Sequence, residues 1–239
     1  MDDDIKSQLE RAKELMQELE KACNDDLQAK NVSGKTKNLS QEVLLKIRHL
    51  LDQSIYKFFE KHYFPNLSDS EKKAAKVYFP IVSKKEDLKS VLSRANMTDL
   101  ELDHPNFYQF LDSVQPYNAE YSWLRLLSNL AIDKHKKLTP QIRVENKTMT
   151  AKTENISVTM PIDNPNFSIH QGEGIQVSIG GVPVKFTNQG IVPLSQGLKT
   201  EITKWVSFLF EGSDVNVLWL CKKLVEDGEK IIKKVFEFM

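Results

Sequence analysis

A change of hydrophobic period at Pro140 constrains this chain more than any other feature: before it apolar residues recur every three or four positions, and beyond it every two, as far as about residue 212. A period near 3.6 lines one face of a helix, and a period of two lines one face of a strand. The chain is therefore expected to be α+β, a helical bundle followed by a small antiparallel β section and a C-terminal helix. At 239 residues it is long enough for one large domain or two small ones. The expected divisions are an amphipathic helix and linker over 1–38, a bundle over 39–139, the β section over 140–212, and a helix over 213–239 that packs back on the bundle.

Within the first half, Ile5, Leu9, Ala12, Leu15, Met16, Leu19, Ala22 and Cys23 form one apolar stripe over residues 5–30. The polar run Asn31–Asn38 with Gly34 predicts a turn, and Ser40 before Gln41 and Glu42 reads as the cap of a second helix running towards Pro65. Tyr78-Phe79-Pro80-Ile81 reads as an extended apolar connector, and Pro105, Pro116 and Pro140 punctuate the helices that follow. In the β section Gly180-Gly181 joins two alternating runs, Ile175 to Ile179 and Val182 to Phe186, the pattern of a tight hairpin. Trp123, Trp205 and Trp219 fall on apolar faces and are expected in the core.

The 33 basic and 33 acidic side chains cancel, which argues against a protein that coats nucleic acid over its whole surface. Cys23 and Cys221 are the two cysteines, too few for a disulfide framework or a cysteine-ligated zinc site, and both are expected as buried thiols. The acidic start Met-Asp-Asp-Asp lacks the composition of a secretory signal, and no window approaches the ~18 apolar residues of a membrane span, so a cytoplasmic protein without membrane contact is expected. The five histidines show no paired metal-site spacing, and no nucleophile elbow or phosphate loop is present. No metal or cofactor is expected.

Chemistry is most concentrated at Trp123–Lys137. On a helix Arg125, Asn129, Asp133 and Lys136 lie close to one face, beside apolar Leu124, Leu127 and Ala131. In the second helix Arg48 and Asp52 are four apart among apolar neighbours. A half-buried carboxylate needs a partner, so Arg48 or Asp52 is expected to pair across helices with Asn129, Asp133, Lys134 or His135. Residues 134–152 also carry Lys134, Lys136, Lys137, Arg143, Lys147 and Lys152 against Glu145 alone, a basic excess of five. Lys136, Lys137 and Arg143 would face phosphates if RNA binds there; a solvated helix end accounts for half of the same charges.

The stretch Asn129-Leu-Ala-Ile-Asp133-Lys134-His135-Lys136, preceded by Gln115-Pro116-Tyr117 and followed by a β section and a last helix, resembles a group of uncharacterised bacterial proteins with an Asn-x-x-x-Asp-Lys-His-Arg-type helix. Their helical part is similar to the HEPN superfamily, whose bundles pair through their helices and often act as RNases in toxin and phage-defence systems. The resemblance spans about residues 40–137 and implies a homodimer. His135 matches the histidine of the HEPN RNase pattern, but Asn129 stands six positions earlier where that pattern has arginine. The nearest upstream arginine, Arg125, is ten residues away, ~15 Å along a helix.

Three readings follow. The first is a HEPN-like protein that works by self-association or partner binding, its first and last helices offering apolar stripes to a second copy. The second is a metal-independent endoribonuclease with His135 as general acid or base, Lys134 or Lys136 steadying the phosphate, and Asn129 in the arginine's place. The third treats the β section as a module for a small ligand or partner.

Overall fold

The computed structural model describes residues 1–29, 31–132, 141–162, 176–187, 190–211 and 213–239. The chain is α+β and divides into two compact units, a helical one formed by 1–142 with 209–239 and a β unit formed by 143–208.

Three long helices make the centre of the helical unit: α1 (Asp3–Ala29), α2 (Gly34–His62) and α8 (Val217–Glu237). The apolar stripe of α1 is buried along its whole length, from Ile5 to Cys23. Its opposite face carries charges paired three apart, Lys6 with Asp3 and Lys13 with Glu10. Gln8 Nε2 donates to Gln53 Oε1 at 3.2 Å and Asp26 Oδ2 accepts from the Ser33 amide at 2.8 Å, so α1 and α2 form an antiparallel hairpin. The turn is shorter than expected. Ser33, not Ser40, caps α2, its hydroxyl accepting from the Thr36 amide at 3.2 Å. Ser40 lies buried within the helix, donating to the Lys37 carbonyl at 3.0 Å. A cap seven residues earlier extends the helix so that Thr36 and Leu39 enter the core.

Helix α8 starts on Asn216, whose side chain accepts from the Trp219 amide at 2.9 Å. It runs parallel to α2: Cys221 lies beside Ser40, and Gly228 lies beside Ile47. At Gly228 the helices touch so closely that a Cβ there would sit 3.0 Å from Ile47 Cγ2. Lys13 pairs with Glu229 at 3.1 Å, tying α1 to α8. With α2 and α8 against it, α1 keeps no apolar stripe for another molecule, and the buried residues of α8 recur from Val217 to Val235. The expectation that these two stripes would await a second copy is therefore corrected: the chain covers them itself. Trp219 is also corrected, 53% exposed in the first turn of α8 because Val217, Leu220 and Cys221 take the buried side. Trp123 is in the core, and the side chain of Trp205 lies outside the described residues.

The remaining helices are α3 (Asp69–Ala74), with a Ser68–Glu71 capping box, α4 (Glu86–Arg94), α5 (Leu100–Asp103), α6 (Pro105–Ser113) and α7 (Trp123–Ile132). Between α3 and α4 the segment 77–82 is extended without belonging to a sheet, with Val77, Phe79 and Val82 inward and Tyr78 outward. No helix among the described residues is long and apolar enough to cross a membrane.

Among the described residues the strands form two three-stranded sheets. One has the order β2-β1-β6, from β1 (Gln141–Lys152), β2 (Ser157–Pro161) and β6 (Lys199–Phe210). The other has the order β3-β4-β5, from β3 (Val177–Ile179), β4 (Val182–Thr187) and β5 (Gly190–Pro193). β1 pairs β2 antiparallel with Met149 opposite Met160, and β3 pairs β4 with Ile179 opposite Val182. Gly180 and Gly181 close that hairpin with φ of 57° and 82°, the doubly positive geometry a two-residue turn of this hand needs. Ala151, Met160, Ile162, Ile179, Val184 and Ile191 form the buried core of the unit.

Candidate functional site

Helix α2 turns Leu45, Arg48, His49, Asp52, Gln53 and Tyr56 to one side, at the three-and-four spacing that makes a helical face. The extended segment 77–82 lies along this face and is held by side chains instead of strands. Asp52 Oδ1 accepts from the Phe79 amide at 2.8 Å, and Arg48 Nη2 donates to the Phe79 carbonyl at 3.3 Å. From the other side, Gln115 Oε1 accepts from the Val82 amide at 3.0 Å, while its Nε2 donates to the carbonyls of Pro80 at 3.0 Å and Leu111 at 2.9 Å. Gln115 is wholly buried and every one of these bonds replaces one that water would otherwise make.

Arg48 and Asp52 also pair directly, Nη2 to Oδ1 at 2.9 Å and Nε to Oδ2 at 3.1 Å. Burial pushes the Asp52 carboxyl above the usual carboxylate range, and the Arg48 charge and the Phe79 amide only partly offset it. Among the described residues Arg48 and Asp52 pair with each other and with the Phe79 backbone, while three of the four partners expected across helices, Asp133, Lys134 and His135, lie outside the described residues. The intervening distance is short because four residues make one helical turn, and Phe79 supplies the rest.

Two clefts open beside the clamp, sharing His49, Asp52 and Tyr78. One, of about 680 Å³, lies towards α7 and α4, with Leu45, Arg48, Ile81, Val91 and Ala131 in its walls. The other, of about 590 Å³, lies towards the start of α1, with Asp2, Asp4, Tyr56 and Lys57. Together they make one groove along α2. Its rim exposes Leu45 (38%), Tyr56 (38%) and Tyr78 (58%).

Of the residues singled out in the sequence, Arg48 and Asp52 are in this groove. Asn129 is exposed on α7, one residue from the lining residue Ser128. Asp133, Lys134, His135, Lys136 and Lys137 lie outside the described residues. Arg143 belongs to the β unit, where its Nη1 meets Glu145 Oε1 at 2.7 Å and its charge is already paired. Sequence reasoning missed Gln115 as a clamp and His49 and Tyr78 as groove residues. A buried glutamine gives no periodic signal of its own, whereas Tyr78 alternating with Val77 and Phe79 was a legible sign of an outward aromatic.

A second titratable cluster sits at the far end of α2. His62 and His104 have ring centroids 4.5 Å apart, with Phe58 4.6 Å from His62 and stacked on Phe107 at 3.8 Å. Burial, then the neighbouring His104 and Lys61, lower the His62 pKa, and its buried Nε2 has no hydrogen-bond partner among the described residues. The buried thiols are equally removed from solution chemistry, Cys23 being pushed up to about 12 by burial. Among the described residues no three His, Cys, Asp or Glu side chains converge as metal ligands would.

No family model, curated protein or solved structure matches this chain.

Proposed function

We propose that this chain is a HEPN-like protein that acts by association, taking a segment of a partner into the groove along α2. The observation that carries the reading is the combination of exposed Leu45, Tyr56 and Tyr78 on the rim with a floor already fixed by the Arg48–Asp52–Phe79 contacts. Exposed aromatic and aliphatic side chains beside a preformed concavity are the usual anchors of association, and a rigid floor lowers the ordering cost of binding. Arg48 and Asp52 themselves are committed to holding the backbone at Phe79, a task of support.

The test is sedimentation velocity over a range of concentrations, on wild type and on Leu45→Glu and Tyr78→Glu, each first checked for wild-type thermal stability. A homodimer that dissociates in both variants supports association through the groove, with a second copy as partner. A homodimer indifferent to both removes the groove from the reading. In parallel, labelled RNA is incubated with wild type and His135→Ala in chelator; cleavage abolished by the variant replaces association with the metal-independent RNase.

A further inference from the structure

The end of α2 meets the corner between α5 and α6 through a cluster of rings. Phe58 lies 4.6 Å from the His62 ring and 5.2 Å from that of His104, the two imidazoles are 4.5 Å apart, and Phe107 stacks on Phe58 at 3.8 Å. Phe238, just past the end of α8, closes over Phe107 at 5.2 Å. His104 stands at the corner itself, between α5 and Pro105, and its carbonyl accepts from the Tyr108 amide at 3.0 Å in the first turn of α6. Beyond the other end of α6, Gln115 bonds separately to the 77–82 segment.

This contact suits an uncharged His62. A neutral imidazole donates from one ring nitrogen, whereas a protonated one must donate from both. His62 Nε2 is buried with no hydrogen-bond partner among the described residues, so a proton placed there would have no acceptor. The charges that bear on it repel a proton: His104 across the contact and Lys61 on α2. Asp103 and Asp99 bear on Tyr63 instead, the Asp103 carboxylate taking the Tyr63 hydroxyl at 3.4 Å. From α8, Lys234 lies over the Phe238 ring and pairs with Glu237. Burial first, then the two neighbouring cations, hold the His62 pKa below its usual 6.5.

We infer that the contact of α2 with the α5–α6 corner is a pH-sensitive joint: protonation of His62 parts the His62–His104 pair and frees the corner, while Gln115 keeps the far end of α6 in place. Phe58 and Phe107, both buried while the joint is closed, then meet water. A cleft of about 230 Å³ beside His104, lined by Asp103, Pro105, Asn106 and Phe238, gives water its way in. The sign follows from the unpartnered nitrogen and the neighbouring cations: the open corner takes up the proton more readily than the closed one, so opening grows as pH falls.

The experiment is amide hydrogen exchange of the full chain from about pH 7.5 to about pH 5, with NMR titration of the His62 ring alongside. Exchange is read as protection factors, which divide out the pH dependence of the chemical step. The amides of Asp103, His104 and Tyr108 are bonded within the corner to the carbonyls of Asp99, Leu100 and His104. Their protection is expected to fall below pH 6.5 by up to about tenfold per pH unit, the slope one bound proton sets, while the Val82 amide on Gln115 keeps its own. His62→Phe keeps a ring against Phe58 and removes the proton site, so its corner amides should hold constant protection. Loss of protection spread evenly over α1, α2 and α8 would overturn the joint as a local device, as would the same corner loss in His62→Phe. If His62→Phe does not fold, wild type decides alone. Corner protection lost with the midpoint of the His62 ring titration sustains the inference, and a ring that titrates with no change at the corner amides overturns it.

Discussion

The contact of α8 with α2 at Gly228 gives the sharpest test of the helical core. Alanine in place of glycine inside a helix stabilises by about 1 kcal/mol through backbone entropy. Here the added Cβ would stand 3.0 Å from Ile47 Cγ2, where ordinary contacts begin at 3.4 Å, so the two helices must separate by about 0.4 Å or Ile47 must leave its rotamer. Overpacking of that kind costs about 1–3 kcal/mol, and Gly228→Ala is expected to lose about 0–2 kcal/mol net. Ile47→Ala alone, at a fully buried position, should lose about 2–5 kcal/mol. In the double variant the new methyl fills part of the space left by Ile47, so the losses should fall short of additive by about 1–3 kcal/mol. Urea unfolding of the four proteins, followed by circular dichroism at 222 nm, measures the cycle. Additivity within about 0.5 kcal/mol, or a Gly228→Ala variant about 1 kcal/mol more stable than wild type, would refute the close approach as the reason for the glycine.

Gln115→Leu should cost about 2–4 kcal/mol in the same unfolding assay, because the Val82 amide and the Pro80 and Leu111 carbonyls lose their buried partner. Asp52→Asn keeps an acceptor for Phe79 but leaves Arg48 uncompensated, and about 1–3 kcal/mol is expected. Since burial raises the Asp52 pKa in the folded state, that state takes up the proton more readily, and the wild-type advantage over Asp52→Asn should widen as pH falls through that raised pKa. For His62 the sign is opposite. Its pKa is lowered from 6.5 in the folded state, so the unfolded chain binds the proton first and stability should fall as pH drops below about 6.5. Thermal unfolding of wild type against His62→Phe between pH 7.5 and 5 should show that extra decline in wild type only. Ser33→Ala should cost about 1 kcal/mol and Ser40→Ala should leave helix initiation unchanged, as amide exchange in the first turn of α2 would report.

The parts legible beforehand are those whose cause is local. The α1 stripe from Ile5 to Cys23 and the α8 residues from Val217 to Val235 are buried as their spacing requires. Gly180-Gly181 closes a hairpin because only a residue without Cβ enters positive φ without strain at both central positions. The α+β order follows from the change of period at Pro140. The start of α2 was misplaced because Ser33 and Ser40 are both competent caps, and the choice between them depends on Asp26 reaching the Ser33 amide.

What the sequence alone determined is therefore the kind and order of the elements and which face of each long helix turns inward, since these depend on neighbours within one or two turns. What only the tertiary structure decided is what covers those faces and where the groove lies. The helical hairpin and α8 bury the apolar stripe of α1 within one chain, and no count of exposed apolar residues along the sequence could distinguish that from burial against a second copy. The clamp on 77–82 is assembled from Arg48, Asp52 and Gln115, whose hydrogen bonds to that segment join residues 27 to 35 positions apart. Bonds over such separations leave no period in the sequence, because their geometry exists only once α2, α6 and the extended segment are packed together.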